Sequence, residues 1–107
     1  MTTEEGNMLI AEFMGGVRER SLDVSHVNIW KWHFRENKKS IFEDDLKYHS
    51  SWGWQIPAWS KAIQEYDLPR KSVYKTRYAV ATAINDTMLG FKILIELITE
   101  INQNKQP

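Results

Sequence analysis

SVYKTRYAVATAI, residues 72–84, is the stretch whose reading decides the fold. Tyr74, Thr76, Tyr78, Val80, Thr82 and Ile84 fall on one side of an alternating pattern, with Lys75, Arg77, Ala79, Ala81 and Ala83 on the other. Period two is the signature of a strand with one face buried, so the segment reads as a strand; a helical reading of its alanine-rich end is the alternative.

Toward the C-terminus, Asn85 or Asp86 is placed to cap a helix over roughly 87–102. Phe91, Leu94, Ile95, Ile98 and Ile101 form its main apolar stripe, and Leu89, Ile93 and Leu97 form a second stripe on the opposite side. A helix apolar on two sides is covered on two sides, by a second layer or by a second subunit. Leu89, Ile93 and Leu97 are therefore candidates for a homo-oligomer interface. Residues 103–107 read as a frayed tail.

Toward the N-terminus, residues 51–66 carry a helical stripe of Trp52, Ile56, Trp59, Ile63 and Tyr66. Trp54 lies about 200° from Trp52 at helical pitch and points away from that stripe. Pro57 either kinks this helix or starts it, in which case SSWGWQ is an ordered loop. Residues 35–40 read as a turn or loop. Residues 28–34 alternate, with Trp30, Trp32 and Phe34 opposite Ile29, Lys31 and His33, as in a strand. Residues 17–26 are charged and irregular, and residues 7–15 read as a short helix that Asn7 caps and Gly15-Gly16 stop. Residues 1–6 are expected to fray. The order helix, strand, helix, strand, helix predicts an α+β fold, a small helix–sheet–helix (α-β-α) sandwich with few strands and a long C-terminal helix, in one compact domain spanning 1–107.

Lys plus Arg equals Asp plus Glu at 14 each, so there is no global positive field to hold duplex nucleic acid. The absence of cysteine removes disulfides and thiolate chemistry. An acidic N-terminus before a short apolar run is the reverse of a secretory signal, and no stretch is long and apolar enough for a membrane span, so the expected location is cytoplasmic. The histidines at 26, 33 and 49 lack ligand spacing, and no metal or cofactor is expected. Glu43-Asp44-Asp45 reads as a solvated acidic run. No nucleophile and base pair stands out, so the chain reads as a non-enzyme.

Five tryptophans, at 30, 32, 52, 54 and 59, are many for this length. HSSWGW, residues 49–54, combines them with the parts of a nucleotide pocket. Ser50 and Ser51 lead into a helix start whose free amides suit phosphate, His49 is titratable, and Trp54 is a flat indole for a base. The plainer reading of the same residues is a capped helix with Trp52 in the core. Basic and aromatic residues also mix in LPRKSVYKTRY, residues 68–78. If that segment is a strand, Lys75 and Arg77 share a face and can clamp phosphates beside Tyr78; the plainer reading is a charged edge strand.

LIAEFMGG near the start, DLKYHSSWGWQIPAWSKAI in the centre and a C-terminal apolar helix ending EIN together resemble the phage ABA sandwich domain, a group of small phage and prophage proteins. The positions that carry the resemblance are Ile10, Ala11, Glu12, Phe13, Met14 and Gly15, then His49, Ser50, Ser51, Trp52 and Trp54. The chain departs from the family pattern at Gly53, where an acid or amide is usual, and at Gln55-Ile56 in place of Leu-Met. The resemblance implies the sandwich fold and the cytoplasm of an infected bacterial host, and implies no activity. The first functional expectation is a phage-encoded anti-defence protein that sequesters a small nucleotide through His49, Ser50, Ser51, Trp54, Lys75, Arg77 and Tyr78. The alternative is a protein–protein interaction module that inhibits a host or phage enzyme, with Trp54 or the second C-terminal stripe as hot spot.

Overall fold

The computed structural model describes residues 1–20, 30–36 and 38–105, and the side chains of these up to Asn104. Among them are four α-helices and a three-stranded antiparallel sheet, an α+β fold with a long C-terminal helix. The chain divides into two compact units, Met1–Lys47 and Tyr48–Pro107.

The first unit holds helix α1 (Thr3–Phe13) and strands β1 (Gly16–Arg20), β2 (Trp30–Phe34) and β3 (Lys39–Phe42) in the order β1-β2-β3. Helix α1 starts earlier than its sequence suggests. Thr2 and Glu5 form a capping box in which each side chain takes the other's backbone amide, so residues 3–6 are helical and Asn7 is a buried interior residue. Gly15 does end the helix, in the left-handed region at φ +84°, where a side chain would be strained. Residues 17–20, read as irregular, are the outer part of β1, because each pairs with a residue of β2, from Val17 with His33 to Arg20 with Trp30; residues 21–29 lie outside the described residues. Strand β2 matches its alternating pattern from Trp32 on: Trp32 and Phe34 are buried and Lys31 and His33 half-buried, while Trp30, expected on the buried side, is also only half-buried. Gly16 lets α1 and the sheet meet, since a Cβ there would come within 2.8 Å of the Ala11 carbonyl oxygen and of the Phe34 ring.

One polar cluster ties the strands to the 3-10 turn at Glu43–Asp45. Arg18 reaches across from β1 with Nε 2.7 Å and a terminal nitrogen 3.1 Å from the two Glu43 oxygens, while its guanidinium lies 4.0 Å over the Trp30 ring. The Trp32 indole donates to the same carboxylate at 3.1 Å. The Arg18 bonds, reinforced by Trp32, hold the Glu43 carboxyl below the usual carboxylate range.

The second unit is helical throughout: α2 (Trp52–Glu65), α3 (Lys71–Ala83) and α4 (Thr87–Lys105). The strand expected over 72–84 is thus helix α3, a correction that moves every strand into the first unit. Tyr74, Tyr78 and Ala81 are its buried residues, and their spacing of four and three is helical; the alternation that suggests a strand puts exposed Thr76, Val80 and Thr82 in register with the two tyrosines and buried Ala81 on the other face. A Schellman motif ends α3, with Asn85 at φ +57° in place of the usual glycine and bonds from Asp86 N–H to Ala81 and from Asn85 N–H to Thr82. Asp86 then caps α4 by accepting the Leu89 amide at 3.0 Å. Helix α4 runs on to Lys105, past the expected fraying point.

Candidate functional site

HSSWGW sits at the start of α2, which begins at Trp52 and carries Pro57 in its second turn. Position 57 lies past the unpartnered first amides of the helix, so the proline, with no N–H, removes the bond to the Gly53 carbonyl four residues before it while the helix continues to Glu65. Ser51 is the N-cap, but through its backbone. Its carbonyl accepts from Trp54 and Gln55, and its hydroxyl makes no capping bond. Ser50 is exposed.

Each aromatic in the stretch has a packing partner. Trp52 donates its indole N–H to the Asn85 side chain at 2.8 Å and meets the Tyr78 ring edge-on at 5.9 Å. Trp54 packs edge-on against Tyr48 at 5.1 Å, and His49 against Phe91 at 6.0 Å. These contacts answer why so many large side chains share six positions: they join the helix start to the α3–α4 junction and to the first turns of α4.

The centre of the junction is Gln55, which sequence reasoning passed over. It is fully buried, and its amide nitrogen donates to the Tyr48 carbonyl at 2.6 Å and to the Thr87 carbonyl at 2.8 Å. Its oxygen accepts the Tyr78 hydroxyl at 3.0 Å. Such a side chain is tolerable in a core only when its donors and acceptor are used, as here. The signal was present in the spacing. Gln55 lines up with Ala58 and Ala62, small residues that let another helix approach, and these three are the buried line of α2, whereas Ile56 from the expected stripe is 43% exposed. Gly90 on α4 completes the approach, since a Cβ there would lie 2.7 Å from the Gln55 oxygen and 2.8 Å from the Trp52 ring.

This packing absorbs or separates most of the expected ligand residues. Tyr78 is buried, stacked on Trp59 at 4.1 Å with ring planes 10° apart, and burial pushes its hydroxyl up to about 12. It offers no open ring to a base. Lys75 and Arg77 do not share a face, because two residues of helix turn through about 200°. Arg77 instead faces α4 and pairs with Glu96 at 2.5 Å. Tyr74 on the same side donates to Glu100, with the Arg70 guanidinium 5.8 Å from its ring. Burial, with the Glu100 bond second, pushes the Tyr74 hydroxyl up to about 12.

The expected oligomer stripe is also absorbed. Ile93 and Leu97 are buried within the chain and Leu89 is half-buried, so neither of the first two is available to a second subunit. Among the described residues no group of three metal-ligating side chains comes together, and no helix is long and apolar enough to cross a membrane.

What α3 leaves outside is more distinctive. Val73, Val80 and Ile84 are 44%, 51% and 61% exposed, and their spacing of seven and four places them within an arc of about 40° on a helix of 3.6 residues per turn. Arg70 and Arg77, three before and four after Val73, border this apolar line, and Lys71–Ala83 contains no acidic residue. Tyr74, Tyr78 and Ala81, about 80–140° round the helix from Val73, are the buried residues that anchor α3, so the line is carried by an anchored element. Comparison of the chain with family models, with curated proteins and with solved structures found no match.

Proposed function

We propose that this protein is a non-enzymatic interaction module that docks a protein partner on the outer face of α3. The observation that carries this reading is the alignment of Val73, Val80 and Ile84 on the solvent side of a helix that Tyr74, Tyr78 and Ala81 anchor in its unit. Single exposed aliphatics are ordinary on a protein surface, whereas three aligned branched ones form the pattern by which a helix enters an apolar groove. Covering what remains exposed of each contributes about 1 kcal/mol per side chain. A pre-ordered helix loses little conformational entropy on docking.

Nucleotide sequestration has less support. Its basic clamp is split between two sides of α3, and Tyr78 is enclosed. A photo-crosslinking amino acid at position 76, exposed beside the apolar line, tests the docking reading in cells that express the protein. A discrete covalent adduct is expected, lost when Val80→Asp and Ile84→Asp are added. No adduct, or one indifferent to those substitutions, overturns the reading.

A further inference from the structure

We infer that the α3 face is received by a second copy of this chain, in the groove between α1 and β1. This rests on the docking reading above and names its partner. The groove is open, about 590 Å³ in volume, with Met8, Leu9, Val17 and Trp32 as its apolar lining and Glu5 and Glu12 along the helix. Met8 and Leu9 are half-buried and Val17 is 45% exposed, so apolar surface remains to be covered.

The charges and their spacing match. Glu5 and Glu12 are seven residues apart on one side of α1, about 10.5 Å along the axis, with Met8 and Leu9 between them. Arg70 and Arg77 are also seven residues apart, with Val73 between them. Both carboxylates are exposed, Glu5 with one oxygen on the Thr2 amide and the other open, and Arg18 on the facing wall is already engaged by Glu43. The Arg77–Glu96 pair is an exposed one, and a guanidinium has donors enough for a second carboxylate. Two α3 faces brought together would instead oppose Arg70 and Arg77 to like charges, which disfavours pairing of the face with itself.

Because the two surfaces differ, the contact is heterologous: each copy offers one face and one groove, and association continues into a ring or a filament. This geometry makes a distinctive prediction for the purified full chain, read by sedimentation velocity across a concentration series. The unsubstituted protein self-associates. Val80→Asp, which removes the face, and Leu9→Asp, which removes the groove, are each monomeric, and their equimolar mixture forms a one-to-one dimer because each supplies the surface that the other lacks.

Leu9 is half-buried, so a variant at the exposed Glu12 provides a second route that leaves the fold intact. Glu12→Arg weakens association at least about tenfold. Mixing it with the Arg70→Glu/Arg77→Glu variant restores complex formation. A monomeric unsubstituted protein, assembly indifferent to Leu9→Asp and Glu12→Arg, or a mixture that stays monomeric overturns the inference. The crosslink at position 76 separates the two levels. An adduct of twice the chain mass supports both, an adduct with a different protein sinks the second copy and leaves the docking reading standing, and no adduct removes both.

Discussion

Strand β2 and helix α3 carry similar alternating patterns and fold differently. In WKWHF, residues 30–34, Trp32 and Phe34 of the central strand are buried and their neighbours Lys31 and His33 only half-covered, so period two describes the burial from Lys31 on. In α3 the aromatics Tyr74 and Tyr78 fall at alternate-compatible positions, but they are four apart, and the residues that complete the strand pattern, Thr76 and Val80, are exposed. A spacing of four satisfies both periods. What separates them is the residue at the next helical step. Ala81, three after Tyr78, is small enough to be buried at a helix contact, whereas β2 has no comparable continuation and finds strands on both sides.

The largest effects should come from breaking the buried positions in each region. Trp32→Ala in β2 and Tyr78→Ala in α3 are each expected to cost about 3–5 kcal/mol in denaturant unfolding. Tyr78→Ala also leaves the Gln55 oxygen without its donor. Equal losses at Val80 and Tyr78 would contradict the helical assignment, since only a strand buries both.

Next come the close approaches. Gly16→Ala in the first unit and Gly90→Ala in the second should each destabilise by about 1–3 kcal/mol, measured as a fall in melting temperature. At Gly16 the obstacle includes a backbone oxygen, and at Gly90 a glutamine held by three hydrogen bonds, so neither neighbour yields easily. A neutral Gly90→Ala would mean that the Gln55 junction is looser than these bonds imply.

The two units should also respond to opposite ends of the pH scale. Tyr48 and Tyr78, both in the second unit, are pushed up to about 12 by burial. The folded state holds these protons more tightly than the unfolded one, so their contribution is complete below about 10 and is lost as pH rises toward about 12. The first unit has no tyrosine; its coupled group is Glu43, whose lowered pKa gives a contribution that is complete above the ordinary carboxylate range and lost as pH falls through its own value. The Trp52 and Trp32 indole N–H resonances report the two transitions separately. Arg18→Gln should raise the acid transition toward the ordinary carboxylate range and leave the alkaline one unmoved.

The smallest expected change in stability is at the proposed docking face. Val80→Ala should alter unfolding by less than about 0.5 kcal/mol, as for an ordinary surface site, and a larger loss would place Val80 in the fold and remove it from the docking line.

Local chemistry was enough to read the α+β class, β2, the Gly15 stop of α1, the helix after Asp86 and a helix within 51–66 whose start, before or at Pro57, stayed open, because caps, left-handed turns and strict alternation act within a few residues. Sequence alone left three further things open, and each depends on which neighbour arrives. Residues 72–84 satisfy two periods until a packing partner selects one, Gln55 is an ordinary polar residue until the Tyr48 and Thr87 carbonyls and the Tyr78 hydroxyl converge on it, and the phosphate clamp of Lys75 and Arg77 exists only on a strand. The apolar line of Val73, Val80 and Ile84 was equally out of reach, since side chains of this kind count as core until the tertiary structure shows that the buried side of the helix is that of Tyr74, Tyr78 and Ala81.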